Sequence, residues 1–288
     1  MTVALAPAKI NLTLEVLGRR DDGYHTLRSV MVPIGLADRI EFERGESGAA
    51  PVVDARAEIG AENLVSRALS AAGATGLNVR LIKNIPIGGG LGGGSSDAAT
   101  VLRAAMNGEL GDVACADWLR AARDLGSDVP FFLTGTAALV EGTGERVTAL
   151  GALPAWWVVV VRPRASVPTA EAYRLLDRSR DSGTPSRPRT DSPSLRAVDA
   201  LQRKDFSALQ SLLVNDFHDP ILSAFPVIAR ADAALRGAAG NALLSGSGSC
   251  LFALFEDESG ARDAAARVDA ATYEAIFCVP FAQGDAWR

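Results

Sequence analysis

Cysteine and histidine are scarce in this chain. Its three cysteines, Cys115, Cys250 and Cys278, lie far apart with no Cys-x-x-Cys spacing, and its two histidines, His25 and His218, are equally distant. That argues against a disulfide framework, a zinc knuckle and a His-rich metal site, and it predicts a reducing cytoplasm. Each thiol reads as a small buried hydrophobe. Long apolar runs are also lacking: the longest, Ala155 to Val161, has seven residues, where a membrane-spanning helix needs about 20. It reads as a buried strand. The opening Met1-Thr2-Val3-Ala4-Leu5-Ala6-Pro7 carries no basic flank before an apolar core, so neither a signal nor a transit peptide is expected. Basic charge is in deficit, with 29 Lys and Arg against 34 Asp and Glu. No overall positive field exists to hold nucleic acid or an anionic membrane, and an anionic ligand must be held locally. What remains is ordinary globular usage, 48% hydrophobic and 22% charged over 288 residues, a length that suits two domains of roughly 150 residues.

From Lys9 to Leu17 the chain alternates, with Ile10, Leu12, Leu14 and Val16 on one side and Lys9, Asn11, Thr13 and Glu15 on the other. This predicts a half-buried strand. The turn Gly18 to Gly23 ends in Asp-Gly, a hairpin signal, and Tyr24 to Val32 reads as the returning strand. Arg39 to Glu43 and Leu77 to Ile82 are further strands. Asn63 to Ala72 is an amphipathic helix with Asn63 as cap and Gly73 just past its end. A second helix, Asp117 to Leu125, stops at Gly126 and leads into a strand-like Phe131 to Leu133. Short strands are expected at Ala137 to Glu141 and Glu145 to Leu150. Beyond a domain boundary near Leu153-Pro154, which divides the chain into 1–153 and 154–288, strands are expected at Trp156 to Val161, Cys250 to Phe255 and Ala275 to Phe281. Helices are expected at Ser194 to Gln202, Phe206 to Val214, Val227 to Leu235 and Gly260 to Val268. Arg178 to Pro193, rich in Ser, Arg, Pro and Asp, reads as a mobile surface loop.

The segment Pro86-Ile87-Gly88-Gly89-Gly90-Leu91-Gly92-Gly93-Gly94-Ser95-Ser96 holds six glycines and no charge. So many glycines let the backbone adopt positive φ repeatedly and bring several N–H groups close to one ligand, for which phosphate is the natural guest. A capped helix is expected to follow, opening at Ser95-Ser96-Asp97, and its N-terminus adds roughly half a positive charge. The alternative, a flexible linker, does not explain that helix. Walker A is excluded because no lysine follows the glycines. Gly88-x-Gly90-x-x-Gly93 matches the dinucleotide string, but so dense a run matches almost any glycine pattern. Loop and helix also occupy Asn107 to Leu125, where that fold wants a strand ending in an acid.

Three segments together, Pro7-Ala8-Lys9-Ile10-Asn11, Pro86 to Ser96 and Ser245-Gly246-Ser247-Gly248-Ser249, resemble the three motifs of the GHMP kinases. Arg20-Asp21-Asp22-Gly23-Tyr24-His25 and Gly126-Ser127-Asp128-Val129-Pro130-Phe131 narrow the likeness to the branch that phosphorylates a cytidine diphosphate ester of methylerythritol for isoprenoid precursors. The likeness spans nearly the whole chain and is weakest from Arg178 to Leu201. It implies a mixed α+β fold, with an N-terminal domain like the second domain of ribosomal protein S5, a ferredoxin-like C-terminal domain, and ATP with Mg²⁺ in the cleft between them. The implied partner is the small-molecule substrate, with no nucleic acid and no membrane; a homodimer is the assembly to test. The pattern departs at Asp97, where members often carry Asn. The extra negative charge then sits near the triphosphate or helps hold Mg²⁺.

Through the resemblance, Asp128 is the general base and Lys9 the cation that orients it and stabilises the moving phosphoryl group. By composition alone Asp128 would be a turn or capping aspartate, and Lys9 a solvated strand residue. A mechanism without a true base remains open, because a loose phosphoryl-transfer transition state hardly requires early deprotonation. Pro86 to Ser96 hold the ATP phosphates, and Asn63 and Leu64 border the adenine. Tyr24 and His25 meet the cytosine, Tyr173 opposes them, and Thr169 and Asn11 are polar neighbours. Gly246, Ser247 and Gly248 close on the substrate or the phosphates through their amides. His218 is read as structural. The competing readings are a GHMP kinase for another small alcohol, of homoserine or mevalonate type, and a non-catalytic ligand sensor on the same scaffold. An NAD-dependent oxidoreductase ranks last.

Overall fold

The computed structural model describes residues 1–46, 48–54, 63–111, 113, 115–181 and 191–282. Strands β1 (Thr2–Arg19) and β2 (His25–Arg44) form a long hairpin, followed by β3 (Val52–Asp54), α1 (Leu64–Ala72), β4 (Leu77–Ile82) and α2 (Gly93–Met106). Next come α3 (Trp118–Leu125), α4 (Val129–Leu133), β5 (Ala137–Gly142) and β6 (Arg146–Gly151). After β6 run β7 (Trp157–Arg162), α5 (Thr169–Asp181), α6 (Pro193–Gln202), α7 (Phe206–Leu212) and β8 (Val214–Asn215). The chain continues through α8 (His218–Ala224), α9 (Pro226–Ala239), β9 (Leu243–Leu244), β10 (Leu251–Phe255), α10 (Glu258–Arg267) and β11 (Ala275–Pro280).

A seven-stranded sheet has the order β3-β4-β2-β1-β8, with β5 joined to β2 and β6 to β5. The strands expected separately at 24–32 and 39–43 are one strand, because β1 pairs with β2 from Arg19↔His25 to Thr2↔Phe42. The far half of β2 pairs with β4 and its near half with β5. A four-stranded antiparallel sheet has the order β11-β7-β10-β9. Three cores follow. Helices α1, α2 and α4 cover the first sheet around Leu69, Leu102 and Phe131. Ile10, Leu12, Val158, Val160 and Phe252 fill the space between the sheets. Val159, Val161, Leu176, Ile221 and Leu235 join the second sheet to α5, α8 and α9. Successive valines of β7 thus enter opposite cores, which is why a strand reads as one apolar run.

Several expectations are corrected. β1 is buried on both faces: Asn11 and Thr13 are fully covered and Glu15 nearly so. The second half of the chain covers the polar face. Thr13 Oγ1 bonds Ser194 Oγ at 2.8 Å, Glu15 Oε2 accepts from Ser192 Oγ and Ser194 N, and β8 pairs with β1 in parallel. Phe131 to Leu133 is helical, because Pro130 sits at a helix start, where its missing N–H costs nothing. Arg178 to Asp181 continues α5, with Arg180 donating to Asp216 Oδ2 at 2.9 Å; residues 182–190 lie outside the described ones. The segment expected as one helix from 206 to 214 ends at Leu212, and Val214 becomes part of β8. By contrast, Asn63 caps α1 through Oδ1 to Ser66 N at 3.0 Å, and Gly73 ends it at φ +69°.

Candidate active site

The register of β1 shifts between Pro7 and Lys9 and again between Asn11 and Thr13. The stretch between those irregularities carries the first two polar groups of the site. Lys9 Nζ donates to Asn11 Oδ1 at 2.6 Å, and Asn11 Nδ2 donates to Ser29 Oγ at 2.8 Å. Asp128, at the start of α4, brings Oδ2 to 3.8 Å from Lys9 Nζ. Burial pushes the Lys9 ammonium below its ordinary pKa, while the Asp128 charge and hydrogen bond pull it back up.

The glycine segment is a bend in which Gly88, Gly90 and Gly92 take φ of +68°, +77° and +72°. Alternation of this kind makes a concavity of backbone N–H groups. Helix α2 begins at Gly93, so the last two glycines form its first turn, and its N-cap, Gly92, makes no side-chain cap bond. The expected cap at Ser95-Ser96-Asp97 is absent for that reason. A Cβ on Gly92 would lie 2.9 Å from the Phe132 ring and 3.1 Å from Lys9 Cγ, so the bend packs directly against the lysine. A cavity of about 510 Å³ opens above the bend. It is lined by residues 86–95, Asn63, Leu64, Lys83 and Asp97. Ser96 does not line it; its hydroxyl is buried without a partner.

A cavity of about 720 Å³ is lined by Tyr24, His25, Thr169, Tyr173 and Asp177, together with Arg19, Arg123 and Arg174. Tyr24 stands at its rim, 68% exposed. The His25 ring stacks on Tyr173 at 4.6 Å between centroids, and its Nε2 pairs with Asp177 Oδ1 at 2.9 Å. Burial, with Asp128 and Asp177 adding to it, pushes the Tyr173 phenol up to about 12. A third cavity, of about 370 Å³, joins the other two. Its lining includes Gly88, Gly90 and Ser95 from the first and Gly126, Thr169 and Tyr173 from the second, with Lys9, Asn11, Asp128 and Gly246 to Gly248 between them. The sequence-predicted site residues, Ser96 excepted, therefore converge on one connected cleft. His218 stays apart: Nδ1 accepts from Leu244 N at 3.2 Å, and burial lowers its pKa.

Sequence reading missed Lys83. Its ammonium lies between Asp38 and Asp97, with Asp97 Oδ2 at 2.6 Å. Asp38 Oδ1 also accepts from Asn84 N and Ile85 N, and so sets the path into the bend. Asp97 Oδ2 therefore faces a cation, while its Oδ1 is buried without a partner. Burial raises its carboxyl to about 7 against the pull of Lys83. A lysine next to the bend is visible in the sequence; its partner, Asp38, lies 45 residues earlier. The three arginines of the larger cavity were likewise missed.

The chain matches the models of the GHMP kinases N terminal domain over residues 61–136 and of the GHMP kinases C terminal over 197–275. A 4-diphosphocytidyl-2-C-methyl-D-erythritol kinase of Citrifermentans bemidjiense is 38% identical over 92% of this chain and 93% of its own. One from Symbiobacterium thermophilum is 41% identical over 88% and 91%. A crystal structure of a 4-(cytidine 5'-diphospho)-2C-methyl-D-erythritol kinase superposes with a TM-score of 0.80 at 38% identity, covering 97% of this chain and 98% of the other. A homoserine kinase from Cytophaga hutchinsonii, at 19% identity and a TM-score of 0.71, shares the fold. The chain belongs to the GHMP kinases and, among them, to the 4-diphosphocytidyl-2-C-methyl-D-erythritol kinases.

Proposed function

We propose that this kinase transfers the γ-phosphoryl group of ATP to a hydroxyl of 4-diphosphocytidyl-2-C-methyl-D-erythritol, giving the 2-phosphate, in the non-mevalonate route to isoprenoid precursors. The reaction is carried out in the cleft between units 1–153 and 154–288. The observation that carries this reading is the Lys9–Asp128 pair at 3.8 Å in the cavity joining the glycine bend to the aromatic, arginine-lined chamber. Phosphoryl transfer is mostly positioning and charge stabilisation. The bend amides and the start of α2 hold the phosphates. Tyr24 offers a stacking face to the cytosine beside the packed His25 and Tyr173, and Arg19, Arg123 and Arg174 balance the diphosphate. Asp128 accepts the hydroxyl proton, and Lys9, held by Asn11, faces the phosphoryl group in flight. Gly246, Ser247 and Gly248, with Thr169 3.3 Å from Ser247, close the remaining side.

Among the described residues no cluster of three or more His, Cys, Asp or Glu could cage a metal. The donors beside the bend suit Mg²⁺ carried on the nucleotide: Ser95 lines both cavities, and Asp97 Oδ1 has no partner. Ser95 and Asp97 would hold the ion, which supplies charge neutralisation on the phosphates when bound. The cysteines are free, which suits a reducing cytoplasm; burial pushes the Cys250 thiol up to about 12, which makes it inert. Among the described residues no helix is long and apolar enough to cross a membrane.

Coupled ADP release with ATP, Mg²⁺ and the cytidine diphosphate ester tests the reading. Turnover that vanishes with a cytidine-free analogue supports it, and turnover of homoserine instead refutes it. Asp128→Asn is expected to lower kcat by about 10²–10⁴ with KM little changed. Near-normal turnover with intact affinity would remove Asp128 from the role of base.

A further inference from the structure

Five consecutive carbonyls of the glycine bend each accept a hydrogen bond from outside it. Arg162 Nη2 donates to Ile87 O at 2.9 Å and Nη1 to Gly88 O at 3.3 Å. Cys250 N donates to Gly89 O at 3.0 Å, Ser245 Oγ to Gly90 O at 3.1 Å, and Lys9 N to Leu91 O at 2.9 Å. A trans peptide unit directs its N–H opposite to its C=O. Holding the carbonyls of residues 87–91 therefore turns the N–H groups of 88–92 the other way. Among the described residues, apart from the turn at Ile87–Gly88 that brings Gly89 N–H toward Pro86 O, none of those N–H groups donates to another protein group. Their direction is set from behind, chiefly by the second half of the chain.

We propose that Arg162 is the positioning residue of the phosphate-binding bend. It ends β7, is 5% exposed, and lines neither the nucleotide cavity nor the central one. It therefore acts through backbone it holds and touches no substrate. Its guanidinium is itself fixed: Nη1 donates to Ser249 Oγ, Nε reaches Glu274 Oε2 at 3.4 Å, and Ser249 Oγ donates onward to Ala165 O at 2.5 Å. A rigid fork of donors suits two successive carbonyls, which a single ammonium cannot match. Burying a cation with one half-exposed carboxylate partner is a poor way to gain stability. Behind a concavity of amides it also adds positive potential where a triphosphate sits. Ser249 belongs to the small-residue loop 245–249, so the same contacts tie that loop to the bend. The proposal rests on the bend being the phosphate site.

The test compares ATP and adenosine binding by calorimetry, and KM for both substrates, in wild type, Arg162→Ala, Arg162→Lys and Ser249→Ala. Loss of two hydrogen bonds predicts ATP binding weakened about tenfold in Arg162→Ala, with adenosine binding and the KM of the alcohol substrate within about twofold. Arg162→Lys keeps the charge without the fork and is expected to retain most of the defect. Ser249→Ala removes the hydroxyl that fixes Nη1, and is expected to weaken ATP alone by about threefold. Should Arg162→Ala fail to fold, the other two variants decide. Equal loss of ATP, adenosine and alcohol substrate overturns the proposal, as does unchanged ATP binding in the variants. If wild type binds ATP no better than adenosine, the phosphate site itself is misassigned and the proposal falls with it. If wild type shows that preference and the variants keep it, Arg162 alone is misassigned.

Discussion

Gly90→Ala, set beside Gly108→Ala, separates backbone strain from steric exclusion. The two glycines have nearly the same φ, +77° and +76°. A Cβ in that region costs roughly 1–2 kcal/mol at either position. Around Gly108 nothing lies within 4 Å, whereas at Gly90 the new Cβ would fall 2.1 Å from Ser245 O and 3.0 Å from both N and O of Gly248. Those are backbone atoms, so a rotamer change cannot relieve the contact, and one loop must move by about an ångström to restore van der Waals distance. Such a shift breaks the Ser245 Oγ bond to Gly90 O and strains the Cys250 N bond to Gly89 O. At about 0.5–1.5 kcal/mol per bond, Gly90→Ala should lose roughly 1–3 kcal/mol more than Gly108→Ala. The difference should appear as a Tm several degrees lower, at about 2–4 °C per kcal/mol for a chain of this class. The ATP KM should rise roughly 10- to 100-fold for Gly90→Ala and stay near normal for Gly108→Ala. Equal Tm losses for the two variants, with ATP KM unchanged in both, would refute the reasoning.

The pH dependence of Asp97 and the stacking role of Tyr24 are open to similar measurements. Burial raises the Asp97 carboxyl from 3.8 to about 7, so the folded state keeps a proton that the unfolded chain loses. Wild-type stability should therefore fall as pH climbs from about 4 to 7 and level off above that. The Tm of Asp97→Asn relative to wild type should rise across the same window, and a flat difference would show that the carboxyl is not perturbed. Tyr24→Ala removes a ring that is 68% exposed. Loss of about 1–3 kcal/mol of stacking predicts a KM for the cytidylated substrate raised roughly 5- to 150-fold. Its Tm and ATP KM should stay put, and a fall in Tm of several degrees would mean that the ring serves packing instead.

Sequence reading succeeded where a signal is local. Asn63 and Gly73 bracket α1 because a capping amide and a left-handed glycine act within one turn of chain. The strand expected at Leu77 to Ile82 is β4, and its exposed and buried residues alternate. The helix expected after the glycines exists, but its cap does not. Gly92, with no side chain to cap it, stands at the helix start instead, and nothing local marks that position.

The residue string 86–96 marked the glycine bend, and the resemblance of three short motifs marked the family, because both depend on residue type and short-range order; composition alone would have left Lys9 a solvated strand residue and Asp128 a turn aspartate. Tertiary structure alone decided that the polar face of β1 is buried, since its cover comes from Ser192, Ser194 and β8 about two hundred residues later. It alone decided that Lys83 meets Asp38 and Asp97, and that Arg162 holds Ile87 and Gly88 from a strand 75 residues on. A buried charge must find its partner in space, and the sequence order of the two carries no mark of which pair will meet.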